Sequence, residues 1–592
     1  MTKFATWLGP PDRPLFARCY VPDSGQARAG VLLCPPLGME AQGAGRAFRS
    51  LGELLQASGF LALQVDYDGT GDSAGSDDDP GRQAAWLASV HSGVGLLRSA
   101  GARRACIVGL RMGATLAAWA AEGCDLEALV LWDPCESGRS FLREQKLLRS
   151  VYLSDQWIKP EGGPGEDEAP QVLGNAYPPE TLRELADLKF ASCPGPLARR
   201  VLAVLSAQRP ARAAVLERLS GAGAEVANAL ETEDVTSVWP LKSVVPEATL
   251  GKIVSWLEDV VGTEMAPVAV KTRQRTTVRA GDREVLEEIS RMGPHELFAV
   301  VTTPSLPTAS ATVLMLNAGR IDHTGPGRLW VDLARQWAAA GVRVARADVS
   351  GLGDSPSRPG RALDVVRPPE AVQDVEEMVE ALCAGDRSRV VLVGLCSGAH
   401  LAVQAALAAP VLGVVALNVV FPVETPPGED SSGEAGPDRP PARSRSLADL
   451  GAGVRRVASH VPGHHLLGAA GRRAADVKWW LLHHVMGRPA PAFELAKLVD
   501  RGVAALVVCG RYEGRLLSLG EGPLLARAQR RGDFRLVVLP GTDHTLLTRE
   551  TRDKVLPVVN EWVFRHAAAP GHVVPGEGPT GRPSGLAQPV GR

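Results

Sequence analysis

Gly109-Leu110-Arg111-Met112-Gly113 and, about 285 residues later, Gly394-Leu395-Cys396-Ser397-Gly398 decide how this chain folds. Each follows an apolar run, Ala105-Cys106-Ile107-Val108 in the first copy and Val390-Val391-Leu392-Val393 in the second. Each opens a stretch of small helix formers, Ala114-Thr115-Leu116-Ala117-Ala118 and Ala399-His400-Leu401-Ala402-Val403. This pattern predicts a strand that turns abruptly into a helix. The glycines are required because the helix returns so close to the strand that a Cβ has no room. Such an elbow lifts its central side chain to the top of the sheet, where nucleophiles commonly sit. The first copy carries Arg111, which cannot attack a carbonyl. The second carries Cys396, which can.

At 592 residues one hydrophobic core is too few, and two regions of roughly 270 to 290 residues are expected. Hydrophobic residues make up 45%, charged residues 22%, and the net charge is −2. That balance gives no reason to expect nucleic acid or an acidic membrane surface as partner. No apolar run reaches the roughly 18 residues of a membrane span. The start, Met1-Thr2-Lys3-Phe4-Ala5-Thr6-Trp7-Leu8-Gly9, lacks the apolar stretch of a signal peptide, so a cytoplasmic location is expected. The nine cysteines include no C-x-x-C pair. Free thiols are therefore expected, with no disulfide framework, metal or cofactor.

The two elbows belong to a longer repeat. Gly30-Val31-Leu32-Leu33-Cys34 and Ala311-Thr312-Val313-Leu314-Met315-Leu316 read as matching strands. Leu61-Ala62-Leu63-Gln64-Val65 and Val342-Arg343-Val344-Ala345 read as the next pair. After these come Asp66-Tyr67-Asp68-Gly69-Thr70-Gly71-Asp72-Ser73 and Asp348-Val349-Ser350-Gly351-Leu352-Gly353-Asp354-Ser355, one D-x-x-G-x-G-D-S string in each half. From its first Asp to the elbow residue is about 45 residues in one copy and about 48 in the other. Duplicated strand–helix units of this kind predict parallel sheets covered by helices on both faces. The boundary falls near Gly262-Thr263-Glu264-Met265-Ala266-Pro267, after an amphipathic helix from Leu250 to Val261.

Gly351-Leu352-Gly353-Asp354-Ser355, Leu316-Asn317-Ala318-Gly319, Gly325-Pro326-Gly327-Arg328-Leu329 and the Cys396 elbow together resemble bacterial α/β-hydrolases close to serine aminopeptidases. The first half, through the Arg111 elbow and Leu131-Trp132-Asp133-Pro134, resembles the hydrolase-like proteins associated with exosortase systems. The Gly-x-Cys-x-Gly elbow is also similar to those of dienelactone hydrolases, polyhydroxyalkanoate synthases and the cysteine acyl shuttles of peptide and polyketide assembly lines. The resemblance implies two tandem α/β-hydrolase domains, each a mostly parallel sheet with helices on both faces and a helical cap. Residues 1–264 would be a degenerate domain, 265–275 a linker, 276–568 the catalytic domain with its cap at about 420–495, and 569–592 a disordered tail. The corresponding insert of the first domain would span about 137–210. Ester, thioester or lactone substrates follow from the same resemblance.

In this fold the chain order is nucleophile, acid, histidine. Past Cys396, the strand Ala505-Leu506-Val507-Val508-Cys509 ends in Gly510-Arg511-Tyr512-Glu513, and Arg535-Leu536-Val537-Val538-Leu539 leads to Pro540-Gly541-Thr542-Asp543-His544-Thr545. Cys396 is the expected nucleophile, His544 the base and Glu513 the acid. Asp543 or an acid near Asn418 are the alternatives, with Asp543 better suited to shaping the histidine loop. Oxyanion donors are expected from the backbone of Ser397 and of the Ala318-Gly319-Arg320 segment. The Ser397 side chain reads as a helix N-terminal residue, not a nucleophile. A thiolate beside His forms near neutral pH and yields a thioester intermediate, which suits acyl transfer between carriers as well as hydrolysis.

The first half has one histidine before residue 290, His91, and none where a base would stand near Val244-Val245-Pro246-Glu247. With Arg111 at its elbow it is expected to be inactive. Arg111 would either bind a carboxylate or phosphate or pair with an internal acid such as Asp68, Asp72 or Asp133. His460, His464, His465, His483 and His484 lack ligand spacing for a metal, and Trp479 and Trp480 are expected to pack helices. The chain thus reads as a hydrolase (esterase or thioesterase) or acyltransferase acting on a small-molecule or carrier-bound acyl group, with an acyl or peptidyl carrier protein as candidate partner. The competing reading is a non-catalytic scaffold for an acylated carrier or assembly partner.

Overall fold

The computed structural model describes residues 2–567 apart from 157–170, 208, 210–212, 231–234, 238, 306–310, 384, 421–490, 519–521 and 532. Most of the expected cap at 420–495, with its histidines and both tryptophans, and the tail at 569–592 lie outside the described residues. The chain has an α/β fold with two sheet-bearing regions, as the repeat implies.

The first sheet has eight strands. Thr2–Leu8 and Leu15–Val21 form an antiparallel hairpin that adds antiparallel to Leu61–Val65. From there Leu61–Val65, Gly30–Cys34, Ala105–Leu110, Ala128–Trp132, Arg200–Leu205 and Glu225–Asn228 run parallel. Their central members are buried from end to end, as strands covered on both faces must be. The second sheet has nine strands. Three antiparallel strands, Arg275–Ala280, Arg283–Met292 and Leu297–Pro304, lead to Arg343–Ala347. Then Arg343–Ala347, Thr312–Met315, Val390–Leu395, Gly413–Leu417, Ala504–Cys509 and Phe534–Val538 run parallel.

Within the range expected for the first insert, Arg200–Leu205 is a sheet strand whose apolar run is buried between neighbours. Pro491–Asp500 is a helix whose Ala492, Leu495 and Leu498 enter the second core. The helix Glu247–Val261 ends at Gly262, at φ 75°, and Ala266–Pro267 pairs back onto Gln26–Ala27.

The D-x-x-G-x-G-D-S strings form the same loop twice, and its hydrogen bonds explain the motif. Asp66 and Asp348 each accept the backbone N–H six residues on, at 3.1 and 2.9 Å. Ser73 and Ser355 each donate back to the carbonyl of that Asp at 2.6 Å, and accept Phe16 and Phe298 N–H at 2.9 and 2.8 Å. Gly71 and Gly353 sit at φ 50° and 51°, and a Cβ there would stand 2.0 and 2.2 Å from the Asp carboxylate. Only glycine fits.

The second Asp of each loop crosses to the other half. Asp72 pairs with Arg346 and, at 2.8 Å, with His323, all fully buried. Asp354 accepts from Arg18 at 2.7 Å. Between these pairs Trp7, Phe16, Ile289, Phe298 and Val300 close a small core shared by both halves.

Candidate active site

The strand Val390–Leu395 enters the helix Ser397–Ala408 through Cys396, at φ 57° and ψ −116°. This conformation is strained for any side chain, costing of order 1–3 kcal/mol, and surrounding structure has to hold it. Here the holding groups are visible. A Cβ on Gly394 would meet Gly398 O at 2.1 Å, and one on Gly398 would meet Asn317 O at 2.2 Å. The Cys396 N–H donates to Leu417 O at 3.0 Å. The first half repeats this geometry: Arg111 has φ 56° and ψ −122° and donates to Trp132 O at 2.9 Å.

Three of the candidate residues meet at the second elbow. The Cys396 thiol stands beside His544, close enough that each shifts the other's ionisation. His544 Nδ1 lies 2.9 Å from Glu513 Oε1. Glu513 stands in the first turn of Arg511–Ser518, directly after the strand Ala504–Cys509. Burial opposes the thiolate, but the His544 hydrogen bond and charge, the Ser397 N–H and the Arg367 guanidinium outweigh it and hold the Cys396 thiol below its ordinary range. Burial also opposes the charged imidazole, but Cys396 and Glu513 together push His544 up to about 10. For Glu513 burial works upward, and the His544 hydrogen bond brings it below the usual carboxylate range. The three groups therefore favour thiolate, imidazolium and carboxylate in line. Arg367 sits on a loop without periodicity, and nothing in the sequence singles it out.

Ala318 and Gly319 follow the strand Thr312–Met315. Gly319 N–H donates to Ser397 Oγ at 2.9 Å. That hydroxyl takes up the Gly319 N–H that faces the elbow. Asn317 fixes this loop: its Nδ2 donates to Ile321 O at 3.0 Å and Asp348 Oδ1 at 2.7 Å, and its Oδ1 accepts Val349 N–H at 2.9 Å.

The alternative acids are engaged elsewhere. Asp543 is fully buried and accepts from Leu547 N–H at 2.8 Å, Thr548 N–H at 3.0 Å and Thr548 Oγ1 at 2.7 Å. At the end of Gly413–Leu417 stands Asn418, at φ 43°. Its amide donates to His544 O at 2.8 Å and Asp543 O at 3.2 Å and accepts Gly510 N–H at 2.9 Å. It ties the acid and base loops together without itself being ionisable.

At the first elbow, Arg111 is buried among its own carboxylates: Glu40 and Asp133 at 3.5 Å each, and Glu144. Asp133 is one of the three internal acids expected as its partner. Asp68 instead pairs with Arg13 and Arg82, and Asp72 with Arg346 and His323. An external anion would have to displace one of the three acids. Among the described residues, His323, Asp348 and Asp354 form a cluster whose ligand atoms lie within 4.8 Å. Each is already paired, His323 with Asp72 and Asp348, and Asp354 with Arg18. No helix among the described residues is long and apolar enough to cross a membrane.

No curated protein matches the chain significantly. Solved structures with a similar fold include Est1E from Butyrivibrio proteoclasticus with ferulic acid bound, at 15% identity and a TM-score of 0.31, covering 42% of this chain and 98% of that one. Proline iminopeptidase from Mycobacterium smegmatis matches at 13% identity and 0.30, covering 44% and 99%. Dienelactone hydrolase from Anabaena variabilis matches at 14% and 0.29, covering 50% and 100%. Residues 313–558 match the profile described as the alpha/beta hydrolase family. The C-terminal region, which contains the Cys396 elbow, thus carries an alpha/beta hydrolase family domain.

Proposed function

We propose that residues 276–568 form a catalytic domain that hydrolyses or transfers the acyl group of an ester or thioester through an acyl-Cys396 intermediate. The observation that carries this reading is the grouping of Cys396, His544 and Glu513 at a strained elbow, with His544 Nδ1 2.9 Å from Glu513 Oε1. The Cys396 thiolate attacks the carbonyl carbon, and the oxyanion is held by Ser397 N–H with Gly319 or Ala318 N–H. The tetrahedral adduct collapses and the C–O or C–S bond breaks. The His544 imidazolium gives its proton to the departing alkoxide or thiolate. Neutral His544 then takes a proton from water or from an acceptor alcohol, amine or thiol as it attacks the thioester. Collapse returns the thiolate, and the proton stays on His544. Glu513 stabilises the imidazolium throughout.

Residues 1–264 are in this reading a degenerate copy, joined by 265–275. The Arg111 guanidinium replaces the nucleophile and is neutralised internally, and no histidine stands at the base position.

Intact-mass spectrometry after incubation with acyl-thioester donors tests the proposal. An adduct on Cys396 that is lost in His544→Ala supports it. Discharge in buffer alone makes the enzyme a hydrolase, and discharge only by an added acceptor makes it a transferase. A folded wild-type protein that gives no Cys396 adduct with any activated donor overturns it in favour of a scaffold role.

A further inference from the structure

The loop that carries His544 runs between the strand Phe534–Val538 and the helix Arg549–Ala567, and much of what holds it comes from the first half of the chain. Tyr152, in the last turn of the helix Gly138–Asp155, is fully buried. Its hydroxyl donates to Asp543 Oδ1 at 2.7 Å and meets Thr545 Oγ1 at 2.5 Å. Its ring lies against Trp239, with centroids 5.1 Å apart. Gln156, which caps the same helix, accepts the backbone N–H of His544 itself at 3.1 Å. Leu547, three residues on, is buried in the hydrophobic core of the first half. The residues on either side of His544 and its own N–H are thus held from the first half. Its carbonyl is held by Asn418 of the second.

From this we infer that the first half serves the second as a built-in positioning element. Tyr152 and Gln156 fix the His544 loop so that the imidazole stays over the Cys396 thiol. The inference rests on the reading of Cys396 and His544 as an acyl-transfer pair. The physical case is one of tolerance. A loop without secondary structure has many near-equivalent arrangements, and a misplacement of about 1 Å can cost on the order of 100-fold in rate. A phenol buried against a buried carboxylate removes that freedom. Gln156 fixes the one backbone donor nearest the imidazole.

The test is the pH dependence of Cys396 alkylation by iodoacetamide, read by mass on the Cys396 peptide, beside the rate of acyl-enzyme formation. Tyr152→Phe keeps the ring on Trp239 and removes only the hydroxyl. It should raise the apparent thiol pKa by about one unit and slow acylation at neutral pH roughly tenfold, with the melting temperature nearly unchanged. Gln156→Ala should move both in the same direction, and Gln156→Glu, which keeps an acceptor oxygen, should restore them. Should Tyr152→Phe fail to fold, the Gln156 pair decides alone, since that side chain is only half-buried. Folded Tyr152→Phe and Gln156→Ala variants with wild-type alkylation profiles and acylation rates overturn the inference. The two readings fail separately. If wild type never acylates but the variants still shift the thiol pKa, the proposed function falls and the positioning role stands.

Discussion

Replacing Glu513 by Gln separates the acid of this site from its neighbour Asp543. The Glu513 carboxylate accepts from His544 Nδ1 at 2.9 Å, and both side chains keep some contact with water. Losing a charged hydrogen-bond partner costs about 1.5–3 kcal/mol, which corresponds to roughly 10- to 150-fold. That loss falls on the imidazolium, whose raised value of about 10 should drop toward its ordinary value of about 6.5. The Cys396 thiolate loses its counter-charge at the same time and titrates higher. Acylation of Cys396 by an activated ester, followed by mass from pH 5 to 10, should therefore fall about 10- to 100-fold at pH 7 in Glu513→Gln. Part of the loss should return near pH 9, where the thiolate forms unaided. The melting temperature should barely move, because the amide still fits the space. Asp543→Asn should do the reverse. Its oxygens accept two N–H groups and two hydroxyls in a buried loop, so stability falls first. Glu513→Gln within twofold of wild type, beside a folded Asp543→Asn that has lost acylation, would refute the assignment.

Three other outcomes follow from the same geometry. Gly398→Ala drives a Cβ to 2.2 Å from Asn317 O, so Cys396 labelling by an acyl probe should be lost while the first half stays folded; an undiminished labelling rate would contradict the elbow geometry. Arg111→Met leaves Glu40, Asp133 and Glu144 without their shared cation and should cost about 3–5 kcal/mol, measured by denaturant titration, with labelling of Cys396 retained in the folded protein; a change below about 1 kcal/mol would show the cluster to be relaxed. For Asp72 and Asp354 burial works upward, but Arg346 with His323, and Arg18 with Lys3, hold both carboxylates well below their ordinary range. A lowered folded-state value contributes stability that is present above the unfolded value of about 3.9 and lost as pH falls below it. Near-UV circular dichroism during acid titration should show that loss, and Asp354→Asn should flatten the curve.

What could be read from the sequence is what local patterning carries. The elbow needs its glycines within five residues, the D-x-x-G-x-G-D-S loop closes on itself, and Glu513 and His544 stand at fixed distances from apolar strands. Each is a short-range constraint, so the parallel sheets were legible, and so were the places of Cys396, Glu513 and His544 after their strands. The joint between the halves was not. Arg18 reaches Asp354 across 336 positions and Tyr152 reaches Asp543 across 391. Pairings at that range depend on how two finished sheets pack, and no spacing in one sequence encodes them. Tyr152 and Gln156 appear in the sequence as ordinary residues of an amphipathic helix. Asn317 and Asn418 read in the sequence only as residues that follow strands, yet their amides organise the loops on either side of the elbow.

The retention of a half with Arg111 at its elbow has a physical rationale in these contacts. The two second aspartates of the repeated loop each take their cation from the opposite half, so neither loop is electrically complete alone. Separated, Asp72 would lose both Arg346 and His323 and Asp354 would lose Arg18, whereas Arg346 would keep Glu287 of its own half. The fold of each half is thereby tied to that of the other, whatever chemistry either carries. At the elbow of the first half the Arg111 guanidinium sits among three acids, Glu40, Asp133 and Glu144. The helix Gly138–Asp155 that follows reaches the His544 loop through Tyr152 and the capping Gln156. The His544 loop of the second half is thus held partly by the helix that follows the Arg111 elbow of the first.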